Sequence, residues 1–313
     1  MADTGEVGLT WNVVDDVRQM WAYHFMVNAL IAGTIVAVVA GAIGYFMVLR
    51  RQSFVGHMLA VVGFPGAAGA TLIGISAAFG FFGFCIGGAL ILALGSGAGR
   101  DRNGVGGFGE ESAVVGTIQA FALASGFLFV SLYQGFLSGL NALLFGTITG
   151  VSDGQVRILL IAAVVALVLL AVLARPLLFV SVDPSVAQAH GVSPRAVSAA
   201  FMVLLGIAAA GTSQVTGSLL VFALLVAPAS AALRLTARPA LAVILSVLIA
   251  LFVTWVGETI AFFSPYPIGF WVTTLAFVVF LLAAGLRALI EKNGSRRARP
   301  ERSPAEPVLA GVL

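Results

Sequence analysis

Side chains able to do chemistry are few in this sequence, and most of them lie inside long apolar runs. His57 sits in Ser53-Phe-Val-Gly-His-Met58 and Glu258 in Val256-Gly-Glu-Thr259. Ionisable groups within such runs are costly to bury and are functional candidates by default. An imidazole or a carboxyl there could hold a cation or carry a proton. Each also has an ordinary reading. His57 could be a neutral ring bonded to a nearby carbonyl. Glu258 could make an inter-helix or interfacial hydrogen bond, because it stands close to the Phe263 end of its run. His24 reads as an interfacial residue and His190 as a solvated loop residue. Gln119 and Gln214 read as polar glue between helices. Cys85, in Gly83-Phe-Cys-Ile-Gly87, reads as part of a small-residue packing face. It is the chain's one cysteine, so an intramolecular disulfide is excluded. No G-x-x-x-x-G-K-[ST] loop or H-E-x-x-H motif occurs, and the one lysine is Lys292. The chain therefore lacks the lysine that usually grips ATP phosphates. ATP chemistry and zinc hydrolysis have little to stand on within it.

One loop carries local structural signals. In Val182-Asp-Pro-Ser-Val-Ala-Gln-Ala-His-Gly-Val-Ser-Pro194, Asp183 can cap a short helix with Pro184 in its first position, and Gly191 can end it. Such a knob between two apolar runs suits docking of a soluble partner, or is an ordinary structured turn.

The elements that must position these residues follow from composition. Of 313 residues, 60% are hydrophobic and 9% charged, and the mean hydropathy is +1.08. A soluble domain carries about 25% charge. A soluble enzyme and a nucleic-acid binder are thereby set aside. Apolar runs near the ~20 residues needed to span a bilayer fall at roughly 24–49, 53–76, 79–94, 113–132, 157–180, 197–212, 218–233, 241–263 and 268–286. The expected class is all-α, a polytopic helical membrane protein of about nine spans. The third, sixth and seventh runs are short and could form half-spans, which leaves eight or ten open. A barrel is disfavoured because no alternating ~10-residue pattern recurs.

Charge sets the expected orientation. Fourteen of the 16 basic residues fall after odd-numbered runs or beside the 180–195 loop. By the positive-inside rule that side is cytoplasmic, with the N-terminus outside and the C-terminus inside. Residues 1–22 form an extracytoplasmic segment whose Trp11, Val14, Val17 and Trp21 suit a short interfacial helix. No cleavable signal peptide is expected. Residues 23–288 form the transmembrane domain, Gly95–Gly109 a flexible loop, and 289–313 a basic, disordered cytoplasmic tail.

Several segments together resemble the permease subunits of zinc/manganese-type ABC importers. Phe25-Met-Val-Asn-Ala-Leu-Ile-Ala-Gly33 resembles the opening of that family's first span, and Val48-Leu-Arg-Arg-Gln-Ser-Phe-Val-Gly56 the entry to its second. Phe64-Pro-Gly66, Gly217-Ser-Leu-Leu-Val-Phe-Ala-Leu-Leu-Val-Ala-Pro-Ala229 and Pro267-Ile-Gly269 follow in the family's order. Val182-Asp-Pro184 with Ala187, Ala189 and Gly191 resembles the coupling helix that docks into the ATPase subunit. The resemblance implies coupling residues Asp183, Pro184, Ala187 and Gly191. It implies two permease copies, a dimer of ATP-binding subunits that hold ATP and Mg, and an extracytoplasmic solute-binding protein. The permease itself would be a multi-pass plasma-membrane protein that binds no cofactor and is not an enzyme.

The departure falls on the metal site. The family carries an Asp and a His four residues apart after the span-two glycine, on one helix face. Here those positions are His57 and Val61. One imidazole is a poor cation site unless Met58, Glu258 or the second copy's His57 assists. The cargo implied is a divalent ion (zinc, manganese or iron) held by a weaker site, a metal complex, or an uncharged solute. The alternative from another class is a secondary transporter driven by an ion gradient, with Glu258 and His57 as proton carriers.

Overall fold

The computed structural model describes residues 13–95, 107–133, 144, 146, 151–218 and 221–297. All regular structure among them is helical: α1 Val13–Ala22, α2 His24–Leu49, α3 Ser53–Leu72, α4 Ala77–Gly95, α5 Gly107–Leu132, α6 Asp153–Val182, α7 Pro184–Ala189, α8 Pro194–Thr216, α9 Val221–Leu235, α10 Pro239–Phe262 and α11 Ile268–Arg297. Eight of the described helices (α2 to α6, α8, α10 and α11) are long and apolar enough to cross a membrane. The ninth apolar run becomes α9, which has 15 residues and is too short to span alone.

The short α9 has a local cause. Gly217 ends α8 with φ +79°, a left-handed turn that favours glycine. α9 packs part-way along α2, with the Leu225 carbonyl against Gly44. Irregular backbone at this depth must be enclosed by protein. Thr212, Ser213, Thr216 and Ser218 around the break are accordingly buried. The hydroxyls of Thr212, Ser213 and Thr216 donate back to carbonyls four residues earlier.

The bundle is organised around α2, which packs against α6, α8, α9 and α10. Its sequence is crowded with Gly and Ala, so neighbours come close. A Cβ on Gly41 would strike the backbone of Val247 in α10. Beside it, Ser246 Oγ donates to the Gly41 carbonyl at 2.7 Å. Trp255 Nε1 donates to Thr34 Oγ1 at 2.9 Å one level further along. The outward faces of α5, α6 and α11 present Phe121, Val172 and Leu282 largely exposed. That surface suits hydrocarbon and not water.

Two expectations change. α11 continues to Arg297, so helix extends into residues 289–297, which the sequence reading placed in a disordered tail. Arg, Lys and Glu are good helix formers, and Arg287 Nε donates to Glu291 at 2.6 Å across one turn. The other is the seventh span, realised as the short α9. α1 forms as a helix with Trp21 exposed and Met20 packed against Met26 and Ala29. Residues 1–12, most of the Gly95–Gly109 segment and 298–313 lie outside the described residues.

The corner between α2 and α3 is tight. Arg51 N–H donates to the Val48 carbonyl (3.0 Å) and Gln52 N–H to that of Met47 (2.9 Å). This closing pattern places Arg51 where glycine is usual, at φ 58°. Arg51→Gly should therefore raise stability by about 1 kcal/mol or less. Thermal unfolding in detergent checks this; an unchanged or lower midpoint would show that the corner carries no strain.

Candidate functional site

The residues singled out by sequence occupy four separate places. His57 lies in the second turn of α3. Gly56 just before it leaves no room for a side chain against the Met47 sulfur and Leu205, so this part of α3 is pressed onto α2 and α8. The His57 ring turns toward α5 and α9. Its Nε2 is 3.2 Å from the side-chain amide nitrogen of Gln119, which requires the amide to donate to an unprotonated Nε2. Phe222, in the first turn of α9, meets the ring edge-on at 5.5 Å. Nδ1 is buried without a hydrogen-bond partner. A buried polar atom left open calls for an explanation. With Nε2 accepting, a neutral ring carries its proton on Nδ1, which is then a donor. Nδ1 could hold a cation only with the ring proton moved to Nε2 and the Gln119 side-chain oxygen turned to accept it. Met58 is buried in the main apolar core. Val61, one turn further on, is fully buried and offers no donor atom.

Glu258 is elsewhere. It is fully buried in α10, both carboxyl oxygens lack a partner, and the Thr254 hydroxyl one turn away lacks one too. The carboxyl rests on Gly33 of α2: a Cβ built on Gly33 would fall within it. Gly56, beside His57, packs on Met47. Gly33 and Met47 are fourteen positions apart on one helix, about 20 Å at the usual rise. The structure therefore separates Glu258 from His57 and does not join them in one cation site. Among the described residues no group of three or more His, Cys, Asp or Glu side chains gathers.

A third cluster was not anticipated. At the start of α2 and α6, Asp153 Oδ1 accepts from Asn28 Nδ2 at 2.6 Å and lies 3.0 Å from His24 Nε2. Asn28 Nδ2 also reaches the Val151 carbonyl. His24 and Asp153 are largely exposed, Asn28 is buried beneath them, and together they tie two helix ends. The sequence placed His24 at an interface, but nothing local announces a partner 129 residues away.

The 183–191 loop folds as its residue types dictate. Asp183 Oδ1 accepts from the backbone N–H groups of Ser185 and Val186, each at 3.0 Å, and from the Ser185 hydroxyl at 2.6 Å. The Ser185 hydroxyl foremost, then the Val186 and Ser185 amides, hold the Asp183 carboxyl below its usual range. A depressed carboxyl contributes its full stabilisation above its ordinary pKa, about 3.9, and loses it as pH falls from there through the lower folded-state value. The cap is therefore complete at neutral pH. At the other end Gly191 N–H donates to Gln188, and Val192 N–H to Ala187, with Gly191 at φ +81°. That is a glycine-closed helix end with both terminal carbonyls satisfied. Ala187 is buried, whereas Pro184, Ser185, Val186, Gln188 and Ala189 are exposed. The result is a rigid, one-sided knob held on α6 and α8.

Comparison with known proteins gives these features a context. Residues 22–287 match the model of the ABC 3 transport family. The chain is 30% identical over 265 residues to the chelated iron transport system membrane protein YfeC of Yersinia pestis, covering 85% of this chain and 87% of that protein. It is 30% identical over 219 residues to the manganese import system permease protein ScaB of Streptococcus parasanguinis, covering 70% and 74%. The solved structure of PsaBC from Streptococcus pneumoniae in complex with Fab superposes with a TM-score of 0.75 at 25% identity, covering 87% of this chain and 95% of that one.

The Gly33 and Glu258 contact makes a test of its own. Gly33→Ala should cost roughly 1–3 kcal/mol, the usual range for overpacking, and pairing it with Glu258→Ala should recover part of the loss. Thermal midpoints of the two single variants and the double variant read this; strict additivity would show that the contact does not set the α2–α10 spacing.

Proposed function

The chain belongs to the ABC 3 transport family, and on that premise we propose that it is the membrane permease subunit of an ABC importer for a divalent metal ion or its complex. Manganese and iron are the cargoes named for its relatives. Zinc rests on the sequence resemblance alone. The observation that carries the coupling reading is α7: a short helix, capped at both ends, buried on one side at Ala187 and exposed on the other. Asp183 and Gly191 fix its two ends, Pro184 starts it and Ala187 anchors it. An ATP-binding subunit would receive the exposed ridge. ATP and Mg would be held by that partner.

On this reading the cytoplasmic side carries α7 and the α2–α3 corner, with the N-terminus outside and the C-terminus inside. A second copy of the chain would complete the pathway, and an extracytoplasmic binding protein would deliver cargo. His57 is the pathway residue of this reading, because its ring stands between α5 and the first turn of α9 with Nδ1 unpartnered. To hold a cation there, its proton would sit on Nε2 and the Gln119 side-chain oxygen would accept it. Met58 and Glu258 are enclosed within the bundle and shape it instead. A single imidazole per copy makes a weak site, and a pathway must hold its ion weakly enough to release it. Selectivity would then lie largely with the binding protein. A secondary transporter has no use for a capped docking helix, which favours the importer.

Two expected outcomes test this. His57→Ala should reduce ATP-dependent manganese(II) uptake into proteoliposomes at least about tenfold, as for a residue that touches cargo, with the complex still assembled. Wild-type uptake would remove His57 from the pathway. Replacing Asp183 and Gly191 together by Ala should weaken co-purification of the ATP-binding subunit. Retained association with full uptake would refute the docking role.

A further inference from the structure

Arg50 is a buried cation at the corner between α2 and α3, and its contacts join parts of the fold that the proposed function leaves separate. The residue is 7% exposed. Its Nη2 donates to Ser198 Oγ at 2.7 Å, its Nη1 to Ser181 Oγ at 3.4 Å and its Nε to Gln52 Oε1 at 3.4 Å. The guanidinium also lies over the Phe201 ring, 5.5 Å from its centre. Ser181 is in the last turn of α6 and Ser198 is in the second turn of α8. These are the two helix ends between which α7 hangs. One side chain thus grips both roots of the docking helix, while its own backbone is the first residue of the corner that leads into α3.

We propose that Arg50 is a positioning residue that transmits displacement of α7 to α3 and so to His57. The inference rests on the docking role assigned to α7. Three features make the link stiff. The corner is closed by two backbone hydrogen bonds, to Val48 and Met47. α3 starts three residues after Arg50 and carries His57 in its second turn. The guanidinium is planar with donors fixed in a fork, so it can serve two helices at once, which a lysine ammonium on its flexible stem does less rigidly. A buried cation that loses its partners is costly. If α6 and α8 shift under load from below, the least costly response is for Arg50 to follow them, and the α2–α3 corner follows Arg50.

The test uses the permease assembled with its ATP-binding subunit in proteoliposomes, with manganese(II) as probe. A spin label at Phe54→Cys reports on α3: Phe54 is 47% exposed, while the one native cysteine, Cys85, is fully buried. Arg50→Gln should leave assembly intact and ATPase activity within about twofold. Manganese moved per ATP hydrolysed should fall roughly tenfold, a typical coupling energy between two sites. The nucleotide-driven change at the label should be lost. Arg50→Lys should recover only part of the coupling. Ser198→Ala, which keeps the cation and removes the 2.7 Å bond to α8, should lower coupling in the same direction and covers the case in which an Arg50 variant fails to fold. Wild-type coupling and label response in Ser198→Ala and in a folded Arg50 variant would overturn the proposal while leaving the importer reading in place. A wild-type chain that neither binds an ATP-hydrolysing subunit nor moves manganese with ATP overturns both.

Discussion

Close approach to α2 is the constraint on which the rest of this bundle depends. Apolar helices in lipid gain little from simply meeting, because the tails around them are as apolar as they are. Association then rests on how near the backbones come and on a few polar bonds. In α2, Gly33 admits the Glu258 carboxyl, Gly41 the Val247 backbone and Gly44 the Leu225 carbonyl. The bond from Ser246 to the Gly41 carbonyl and the one from Trp255 to Thr34 lie along the same seam. These contacts set the places of α9 and α10. The place of α9 in turn sets where Phe222 meets His57. A substitution on a helix that never touches the imidazole can therefore move the imidazole's surroundings.

The same seam explains why the two intramembrane ionisable residues have different surroundings. Glu258 belongs to the end of α2 that carries Gly33, where the Tyr23, Phe25 and Phe262 rings cluster within about 6 Å of one another. His57 belongs to the opposite end, beside the corner. The carboxyl is sealed by a backbone with no side chain to part. The imidazole stands beside α5, a helix that packs on α3 at the edge of the bundle. The pathway role proposed for the imidazole and the packing role proposed for the carboxyl rest on these surroundings, whereas sequence alone weighs the two residues alike.

What could be read from the chain was what local rules govern. Each apolar run became a helix because twenty apolar residues in sequence leave a backbone in lipid few other ways to satisfy its hydrogen bonds. The loop at Asp183 to Gly191 was legible to single residues, since a cap, a first-turn proline and a closing glycine act within one turn. The rest depended on partners far along the chain. Gln119 read as helix glue, and nothing local connects it to His57, 62 positions away. Arg50 read as a charge at a membrane edge, because burial by Ser181, Ser198 and Phe201 is a property of three helices together. The end of α11 was misjudged for another reason. A basic, polar composition suits a solvated helix as well as a disordered tail, and the Arg287–Glu291 pair belongs to the former.

On the importer reading, the departure at Val61 shifts the burden of the mechanism from affinity to position. A pathway with an Asp and a His per copy can hold a cation and release it when the site is deformed. With one imidazole per copy, supported by an uncharged amide and an aromatic edge, little binding energy remains to be switched. Directionality must then come from opening and closing the path around a weakly held ion. That demands a stiff connection between the helix that meets the ATP-binding subunit and the helix that bears the imidazole. The corner at Arg50 to Gln52 has that character: a closed backbone turn, a left-handed residue held by its neighbours, and a guanidinium bonded across to the helices on either side of α7. On that reading, a valine at position 61 and the proposed rigid link at position 50 would fit together, with geometry performing the work that coordination would otherwise do.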